Sequence, residues 1–265
     1  MRLQDKVAIV TGGGGGMGRG ICACLTREGA DVVVSDLDGS RARETAAAAE
    51  QAGRRGLAVE GDVTSEDDCA AVVRQALEAF GQVDIVVNNA GHFGDRLALP
   101  FTNLTGADWD DNFAVNVKGP FFMCKAVAAH MMERRSGKIV NISSIAAKRD
   151  PVFLPNYAAA KNAVLSLTRV VAKQLGPYNV TVNAVCPGMV WTPFWERLAP
   201  MLAEQDPDRT GQDPRALFDE VAGAAVLGRP QTPEDVGNLV AFLSSEEACN
   251  ITGQAIHVDG GIAMG

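Results

Sequence analysis

The chain has 265 residues, of which 47% are hydrophobic and 21% are charged, and its net charge at pH 7 is −8. This length and composition predict one soluble globular domain with a sizeable core. The acidic balance without a basic stripe argues against nucleic acid and anionic membranes as partners, and no apolar stretch reaches the roughly 18 residues of a membrane-spanning helix. The N-terminus lacks a signal-peptide pattern, so a cytoplasmic location is expected.

Strand-like and helix-like segments alternate along the chain, which predicts an α/β fold: a doubly wound parallel sheet of about seven strands with helices on both faces. The predicted strands are 6–11, 31–36, 56–60, 83–88, 137–142, 179–185 and 254–258. The predicted helices are 17–29, 39–52, 65–80, 107–135, 156–176 and 232–244. No linker divides the chain, so residues 1–265 are expected to form a single domain.

One stretch, from Trp191 to about Leu227, replaces this alternation with aromatic, proline and charged residues. We expect this segment, residues 191–227, to lie over the edge of the sheet and to act as a lid. A disordered surface loop is the alternative.

Cysteine and histidine residues are scattered along the chain. The six cysteines lack the paired spacing of metal sites, and the three histidines do not cluster with them. The sequence therefore predicts reduced thiols and no metal site.

A glycine-rich stretch, VTGGGGGMGRG at residues 10–20, follows the first predicted strand directly and opens the first predicted helix. At such a turn, glycines permit a sharp bend and let a phosphate approach the backbone N–H groups at the helix N-terminus. A glycine turn without a ligand is the alternative. Two registers fit the phosphate-binding pattern, Gly13, Gly15 and Gly18 or Gly12, Gly16 and Gly18.

The second predicted strand, DVVVSD, ends at Asp36. A carboxylate at this place can accept hydrogen bonds from both ribose hydroxyls of an adenosine and would repel a 2′-phosphate. No Arg or Lys lies between Gly12 and Gly18, and such a cation is what a phosphorylated ribose needs. The two observations favour NAD over NADP, with a solvated aspartate as the alternative for Asp36.

The next two predicted strands also end in residues suited to a ligand. Asp62 and Val63 follow the third strand and are expected near an adenine, because ligands of open α/β sheets collect at the carboxyl ends of strands. The fourth strand ends in VNNAG, whose small and amide residues allow close backbone approach. Helix capping after Asp62 and stabilisation of the sheet end by the asparagines are the alternatives.

The strongest group of reactive residues lies in NISSIAAKRDPVFLPNYAAAKNAV, residues 141–164. Tyr157 and Lys161 are four residues apart in a predicted helix and so share one face. The lysine ammonium favours the phenolate, and a cationic nicotinamide nearby would lower the tyrosine pKa further, which makes Tyr157 a usable general base. Ser144 ends the preceding strand with a hydroxyl that can polarise a carbonyl. An incidental Tyr/Lys pair is the alternative.

Taken together, these motifs resemble the short-chain dehydrogenase/reductase family over nearly the whole chain. The matching stretches are TGGGGGMG (11–18), NNAG (88–91), Asn116 in VNVKGPFF, Ser144, YAAAK (157–161), CPGMVWTPF (186–194) and VDGG (258–261). The resemblance implies a Rossmann-type fold and selects the register Gly12, Gly16 and Gly18. It also implies a homotetramer or dimer, which apolar residues on more than one face of the helix at 156–176 support.

The same resemblance implies a role for each matching residue. Tyr157 would exchange a proton with the substrate oxygen, Lys161 would hold the nicotinamide ribose, Ser144 would orient the carbonyl, and Asn116 would support a water relay to Lys161. The nicotinamide carboxamide would bind at Thr192 and the backbone of Val190. The expected cofactor-binding residues are Gly12, Gly16, Met17, Gly18, Asp36, Leu37, Asp62, Val63, Asn89, Ala90, Gly91, Tyr157, Lys161, Pro187, Gly188, Val190 and Thr192.

The predicted activity is NAD-dependent hydride transfer between a secondary alcohol, such as a polyol, sugar or cyclic alcohol, and its ketone. A 3-oxoacyl thioester reductase of the same fold and a catalytically silent dinucleotide-binding protein are the alternatives. Candidate substrate residues are His92, Arg149, Asn156, Trp191 and Trp195, with Phe93, Lys148, Phe153, Phe194 and Arg197 beside them. Aromatic and cationic residues together suggest a compact apolar substrate bearing polar or anionic groups, although Lys148 and Arg149 fit solvated loop charges equally well.

Overall fold

A computed structural model describes residues 1–96, 98–205 and 211–264 of the chain. Seven strands form one sheet: β1 (Val7–Thr11), β2 (Asp31–Asp36), β3 (Gly56–Glu60), β4 (Ile85–Asn88), β5 (Gly137–Ile142), β6 (Val180–Pro187) and β7 (Ala255–Val258). All neighbouring strands pair in parallel, in the order β3-β2-β1-β4-β5-β6-β7. The predicted fold class is confirmed. The strand order reverses between β1 and β4, which opens a crevice at their carboxyl ends.

Helices cover both faces of this sheet. They are α1 (Gly16–Arg27), α2 (Gly39–Gln51), α3 (Glu66–Phe80), α4 (Gly106–Phe113), α5 (Gly119–Arg134), α6 (Ala146–Arg149), α7 (Pro155–Leu175), α8 (Pro193–Gln205), α9 (Pro214–Gly223) and α10 (Pro233–Leu243). One apolar core packs α1, α2 and α10 against the sheet, and another packs α3, α5 and α7 against its other face. β4 to β6 are buried along their whole length because helices cover both sides.

The single helix predicted at 107–135 is interrupted in the structure. A wider π-helical turn, Ala114–Lys118, separates α4 from α5. Pro120 explains the break, because a proline has no N–H to donate to the carbonyl four residues earlier, that of Asn116. Turns of this kind are frequent at functional sites.

No helix is predicted from the sequence between 191 and 227, although the structure has two there. Helices α8 and α9 occupy most of this segment, and residues 206–210 lie outside the described part of the chain. Pro193 and Pro214 each stand at a helix start, where a missing N–H costs nothing, and Asp213 caps α9 by accepting hydrogen bonds from Arg215 N and Ala216 N. Prolines that suggest loops in the sequence therefore begin helices here.

The lid, residues 191–227, has an apolar core of its own. Leu198 and Phe218 are fully buried, and their cluster includes Tyr157 and Ala158 of α7. The lid therefore packs over the carboxyl edge of the sheet, beside the start of α7.

A buried polar chain fixes α7 to the sheet. Asn88 Nδ2 donates to Asn141 Oδ1 at 2.8 Å, and Asn141 Nδ2 donates to Thr168 Oγ1 at 2.9 Å. Hydrogen bonds between buried side chains impose a geometry that apolar packing alone does not.

No helix in the described part of the chain is long and apolar enough to cross a membrane.

Candidate active site

The glycine-rich stretch forms the turn between β1 and α1 at the crevice. Gly12 has φ +60°, and a Cβ on it would come within 2.9 Å of Ala90 Cα. A Cβ on Gly18 would collide with the carbonyl oxygen of Gly12, so α1 packs directly on the turn. Gly16 has φ +47°, and space beside it is open as far as the Thr192 methyl group. These constraints agree with the register Gly12, Gly16 and Gly18.

A dinucleotide fits this edge of the sheet. No other described atom comes within 4 Å of a Cβ built on Gly15, the residue that precedes α1, so the N-terminus of α1 opens onto free space. The Oδ1 atom of Asn89 is buried and has no hydrogen-bond partner among the described residues. Exposed backbone N–H groups and an available amide oxygen are what a pyrophosphate and a ribose require.

Asp36 lies at the end of β2, beside the glycine turn. Its Oδ2 accepts a hydrogen bond from Gly14 N at 2.9 Å, and its Oδ1 accepts one from Asp38 N at 3.0 Å. The neighbouring Leu37 is 72% exposed, an unusual state for a large apolar side chain. Both residues are placed where an adenosine would lie.

Asp62 and Val63 lie after β3, at the same edge. Asp62 Oδ1 accepts a hydrogen bond from Thr64 N at 2.8 Å, and Val63 packs against Gly119 at the start of α5. Asn89 Nδ2 donates to the carbonyls of Thr11 and Gly12, which joins the ends of β4 and β1.

Tyr157 is a buried titratable group of the site. Burial raises the pKa of its phenol well above the usual value, and a side-chain hydrogen bond with Ser144 acts in the opposite direction. The sequence predicts that Lys161 favours the phenolate, whereas burial has the largest effect on the pKa of Tyr157 in the structure. Lys161 Nζ lies 5.6 Å from the centroid of the phenol ring. The hydroxyl of Tyr157 is therefore protonated at neutral pH in the free protein.

Lys161 and Asn116 converge beside Gly91. A Cβ on Gly91 would lie 3.3 Å from Asn116 Oδ1 and 3.4 Å from Lys161 Nζ. Lys161 Nζ donates to the carbonyl of Ile142 at 3.0 Å, and burial lowers its pKa from 10.5 to about 8. A small residue at position 91 thus keeps the amide oxygen and the ammonium close to each other.

The segment after β6 lines the cavity beside Ser144 and Tyr157. Pro187, Gly188, Val190 and Thr192 all line the same cavity as Ser144 and Tyr157. Gln231 holds this segment in place, since its Oε1 accepts a hydrogen bond from Met189 N at 2.7 Å and a Cβ on Gly188 would collide with the same atom. No sequence motif points to Gln231, because its pairing with Val190 joins two positions far apart in the chain.

A cavity of about 520 Å³ extends from Ser144 and Tyr157 to the lid. Its larger apolar lining residues are Phe93, Phe153, Leu154, Met189, Phe194 and Trp195. The Phe93 ring stacks on the Tyr157 ring with centroids 4.5 Å apart, and on the Phe194 ring at 3.6 Å. The catalytic hydroxyl thus opens into an aromatic chamber.

The five predicted substrate residues do not all reach this chamber. Arg149 and Trp195 line it. His92, Asn156 and Trp191 are not among its described lining residues.

Each of these three has other contacts. Asn116 hydrogen-bonds to the backbone N–H and carbonyl of His92. The Asn156 amide donates to the carbonyl of Asp108 at 3.0 Å and ties α7 to α4. The Trp191 ring packs edge-on against Phe218, with the Arg215 guanidinium over it at 4.9 Å.

Comparison with known proteins places this site in a family. A family model described as enoyl-(acyl carrier protein) reductase, of the short-chain dehydrogenase type, matches residues 13–263. The short-chain reductase protein NovJ of Streptomyces niveus is 39% identical over 97% of this chain and 94% of its own length. Galactitol 2-dehydrogenase of Agrobacterium fabrum is 38% identical over 98% of both chains.

Solved structures give the same result. The crystal structure of NAD⁺-bound xylitol dehydrogenase superposes with a TM-score of 0.92 at 29% identity, covering 98% of this chain and all of the other. The predicted resemblance is confirmed, and so are the NAD cofactor and the assignment as an oxidoreductase of secondary alcohols and ketones. The chain belongs to the short-chain dehydrogenase/reductase family.

Proposed function

We propose that Ser144, Tyr157, Lys161 and Asn116 carry out the proton transfer of an NAD-linked oxidation of a secondary alcohol, and of the reverse reduction. The observation that carries this proposal is their convergence: a hydroxyl pair at the wall of the cavity, and an ammonium and an amide oxygen together beside Gly91. NAD held in the crevice would supply the acceptor for the hydride that leaves the carbinol carbon.

Tyr157 exchanges the proton of the substrate oxygen. In the reduction its protonated hydroxyl, favoured by burial, donates to the oxygen of the ketone. In the oxidation the phenolate accepts the proton of the alcohol. Ser144 supports both directions, because its hydroxyl bonds to Tyr157 and can also bond to the substrate oxygen.

Lys161 and Asn116 supply and remove the proton that Tyr157 needs. Lys161 Nζ uses one of its donors on the carbonyl of Ile142 and has two left for the nicotinamide ribose and a water. Asn116 Oδ1 orients the water that continues the relay. Like Lys161 Nζ, this oxygen lies beside Gly91.

The predicted set of residues around the crevice would hold the nucleotide. The backbone of Gly16, Met17 and Gly18 at the start of α1 would bind the pyrophosphate, and Asp36 would bind the adenosine ribose. Thr192 would bind the carboxamide, which would link the lid to cofactor binding.

We further propose a homo-oligomer, dimer or tetramer, in the cytoplasm. Val170 on the outer face of α7 is 50% exposed, and it lies one helical turn after the partly buried Leu167. Phe121 of α5 is 44% exposed. Exposed apolar side chains of this kind can form a contact with another copy of the chain. All six cysteines are free thiols, and five of them are buried, which suits a reducing compartment.

Substitution of Tyr157 tests the mechanism. Tyr157→Phe removes the proton-transfer group and little volume, so kcat/KM for NAD reduction by a secondary alcohol should fall by roughly 10²–10⁴-fold. NADH affinity, followed by fluorescence titration, should stay close to that of the unsubstituted protein. Tyr178→Phe, on the connection between α7 and β6, is the matched control and should change neither quantity.

Two results would contradict the proposal. One is near-normal turnover in Tyr157→Phe. The other is a protein that reduces a 3-oxoacyl thioester with NADPH far faster than it oxidises any secondary alcohol with NAD, which would establish the thioester alternative.

A further inference from the structure

The chamber in front of Tyr157 is apolar on the sides that surround a substrate. Its walls carry the rings of Phe93, Phe153, Phe194 and Trp195, and Met189 fills the space beside them. Trp195 is 8% exposed and Met189 is 9% exposed, so both side chains are largely shielded from solvent. A substrate group that enters here leaves water for an aromatic surface.

Polar side chains occur at only two places among the described lining residues. Ser143, Ser144, Tyr157 and Thr192 lie at the catalytic end, where Ser143 is already used by its hydrogen bond to the carbonyl of Lys161. Arg149 and Asp150 lie at the mouth and are both exposed. Their charges are opposite, so the mouth offers no net attraction for an anion.

The position of Phe93 determines which substituents on the carbinol carbon the chamber can accept. Its ring stacks on the ring of Tyr157, so it stands beside the hydroxyl at which the carbinol oxygen must sit. A substituent on the carbinol carbon therefore meets the Phe93 edge and the neighbouring rings. Planar apolar groups gain most from such surroundings, because aromatic pairs add attraction beyond their buried area.

We propose that the chamber selects secondary alcohols and ketones whose carbinol carbon lies in or next to an apolar ring, and rejects polyols, with Phe93 as a specificity-determining residue. The proposal rests on the function proposed above and narrows its substrate class.

The preference for ring alcohols over polyols can be estimated from the hydroxyl groups of a polyol that would find no hydrogen-bond partner in the chamber. A polyol would bury its other hydroxyls against rings and methyl groups, and each unpaired hydroxyl lowers affinity on the order of 10-fold. A ring alcohol of similar size loses nothing in this way. The described walls thus favour the ring alcohol by at least about 10-fold in kcat/KM, although one relative and one structural neighbour are polyol dehydrogenases by name.

A substrate series with the NAD-loaded protein tests the selection. Cyclohexanol and both enantiomers of 1-phenylethanol represent ring alcohols, xylitol and galactitol represent polyols, and 2-propanol is a small reference whose methyl groups cover little of the ring surface. The proposal requires kcat/KM for the better ring alcohol to exceed that of both polyols by about 10-fold or more. A polyol used as well as the ring alcohols would overturn it and leave the oxidoreductase function intact. No turnover of any alcohol by protein that binds NADH would overturn the function as well.

Phe93→Leu tests the residue itself. It should lower kcat/KM for 1-phenylethanol by about 2- to 10-fold, the range expected for one lost ring contact. The loss with 2-propanol should be clearly smaller, because its methyl groups make less contact with the ring. Phe101→Leu is the matched control, because Phe101 is 72% exposed and is not among the described lining residues of the chamber. An equal loss with both alcohols in Phe93→Leu would show a structural role and overturn the assignment of Phe93.

Discussion

Replacement of Lys161 by methionine should make the protein more stable at neutral pH while abolishing its activity. Lys161 lies on α7 and is buried, and its ammonium donates a hydrogen bond to the carbonyl of Ile142 at the end of β5. Burial lowers the pKa of this group from 10.5 to about 8, which means that the folded protein tolerates the charge poorly. Lys161→Met keeps the length and the apolar stem of the side chain and removes the charge.

The magnitude follows from the two pKa values. Each pKa unit corresponds to about 1.4 kcal/mol, so the buried charge costs the folded state about 3 kcal/mol at pH values below 8. The substitution also leaves the carbonyl of Ile142 without its partner, which costs about 1–3 kcal/mol. A net gain of about 1 kcal/mol, or somewhat more, is expected at pH 7.

The pH dependence identifies the cause. Between pH 8 and 10.5 the unfolded chain binds a proton at Lys161 that the folded protein does not, so the stability of the unsubstituted protein rises with pH in this window. The advantage of Lys161→Met should therefore be constant below pH 8 and shrink as the pH approaches 10.5.

Urea denaturation of the cofactor-free protein at pH 7, 8, 9 and 10 measures this difference. Lys173→Met, an exposed lysine on the same helix, is the control and should show no such trend. A Lys161→Met protein that is less stable at pH 7, or whose advantage does not change with pH, would refute the reasoning.

Two further predictions concern the lid and the assembly. Amides of α8 and α9 should exchange hydrogen faster than those of β4–β6 in the free protein and slow down when NAD and a substrate analogue are both bound. Equal protection in the free protein would make the lid a fixed wall. Light scattering should show a dimer or tetramer at micromolar concentration, whereas Val170→Glu should shift the mass toward the monomer. A monomeric unsubstituted protein would contradict the proposed assembly.

The positions of the strands along the chain follow from the sequence, because the residue pattern that indicates a strand is local. Runs such as Ile85-Val86-Val87 are short, β-branched and bounded by polar residues, and each predicted strand is present with ends that differ by at most two residues. The helices of the lid could not be predicted in this way. Pro193 and Pro214 suggest breaks by their type. Only the Asp213 cap of α9 and the apolar contacts of Leu198 and Phe218 show that helices form here.

The shared helix of Tyr157 and Lys161 could be predicted because the two residues stand four apart in a compact motif, and α7 carries both. The walls of the chamber were harder, since Met189 and Leu198 are ordinary apolar residues until the fold brings them together. The pKa of Tyr157 shows the same limit. A neighbouring lysine is visible in the sequence, whereas the burial that outweighs it belongs to the tertiary structure.

The site divides into a part that is rigid by hydrogen bonding and a part that is held by apolar contact. Ser143 Oγ donates to the carbonyl of Lys161, and Lys161 Nζ donates to the carbonyl of Ile142, so two bonds lock α7 to the end of β5. The chamber walls from α8 have mainly ring and methyl contacts, as between Trp195 and Phe218. Proton transfer needs fixed distances between the reacting groups. Apolar wall residues can be substituted by other apolar residues at a smaller cost in stability than hydrogen-bonded ones. A fold divided in this way can change its substrate through the lid while the proton-transfer geometry on α7 stays the same.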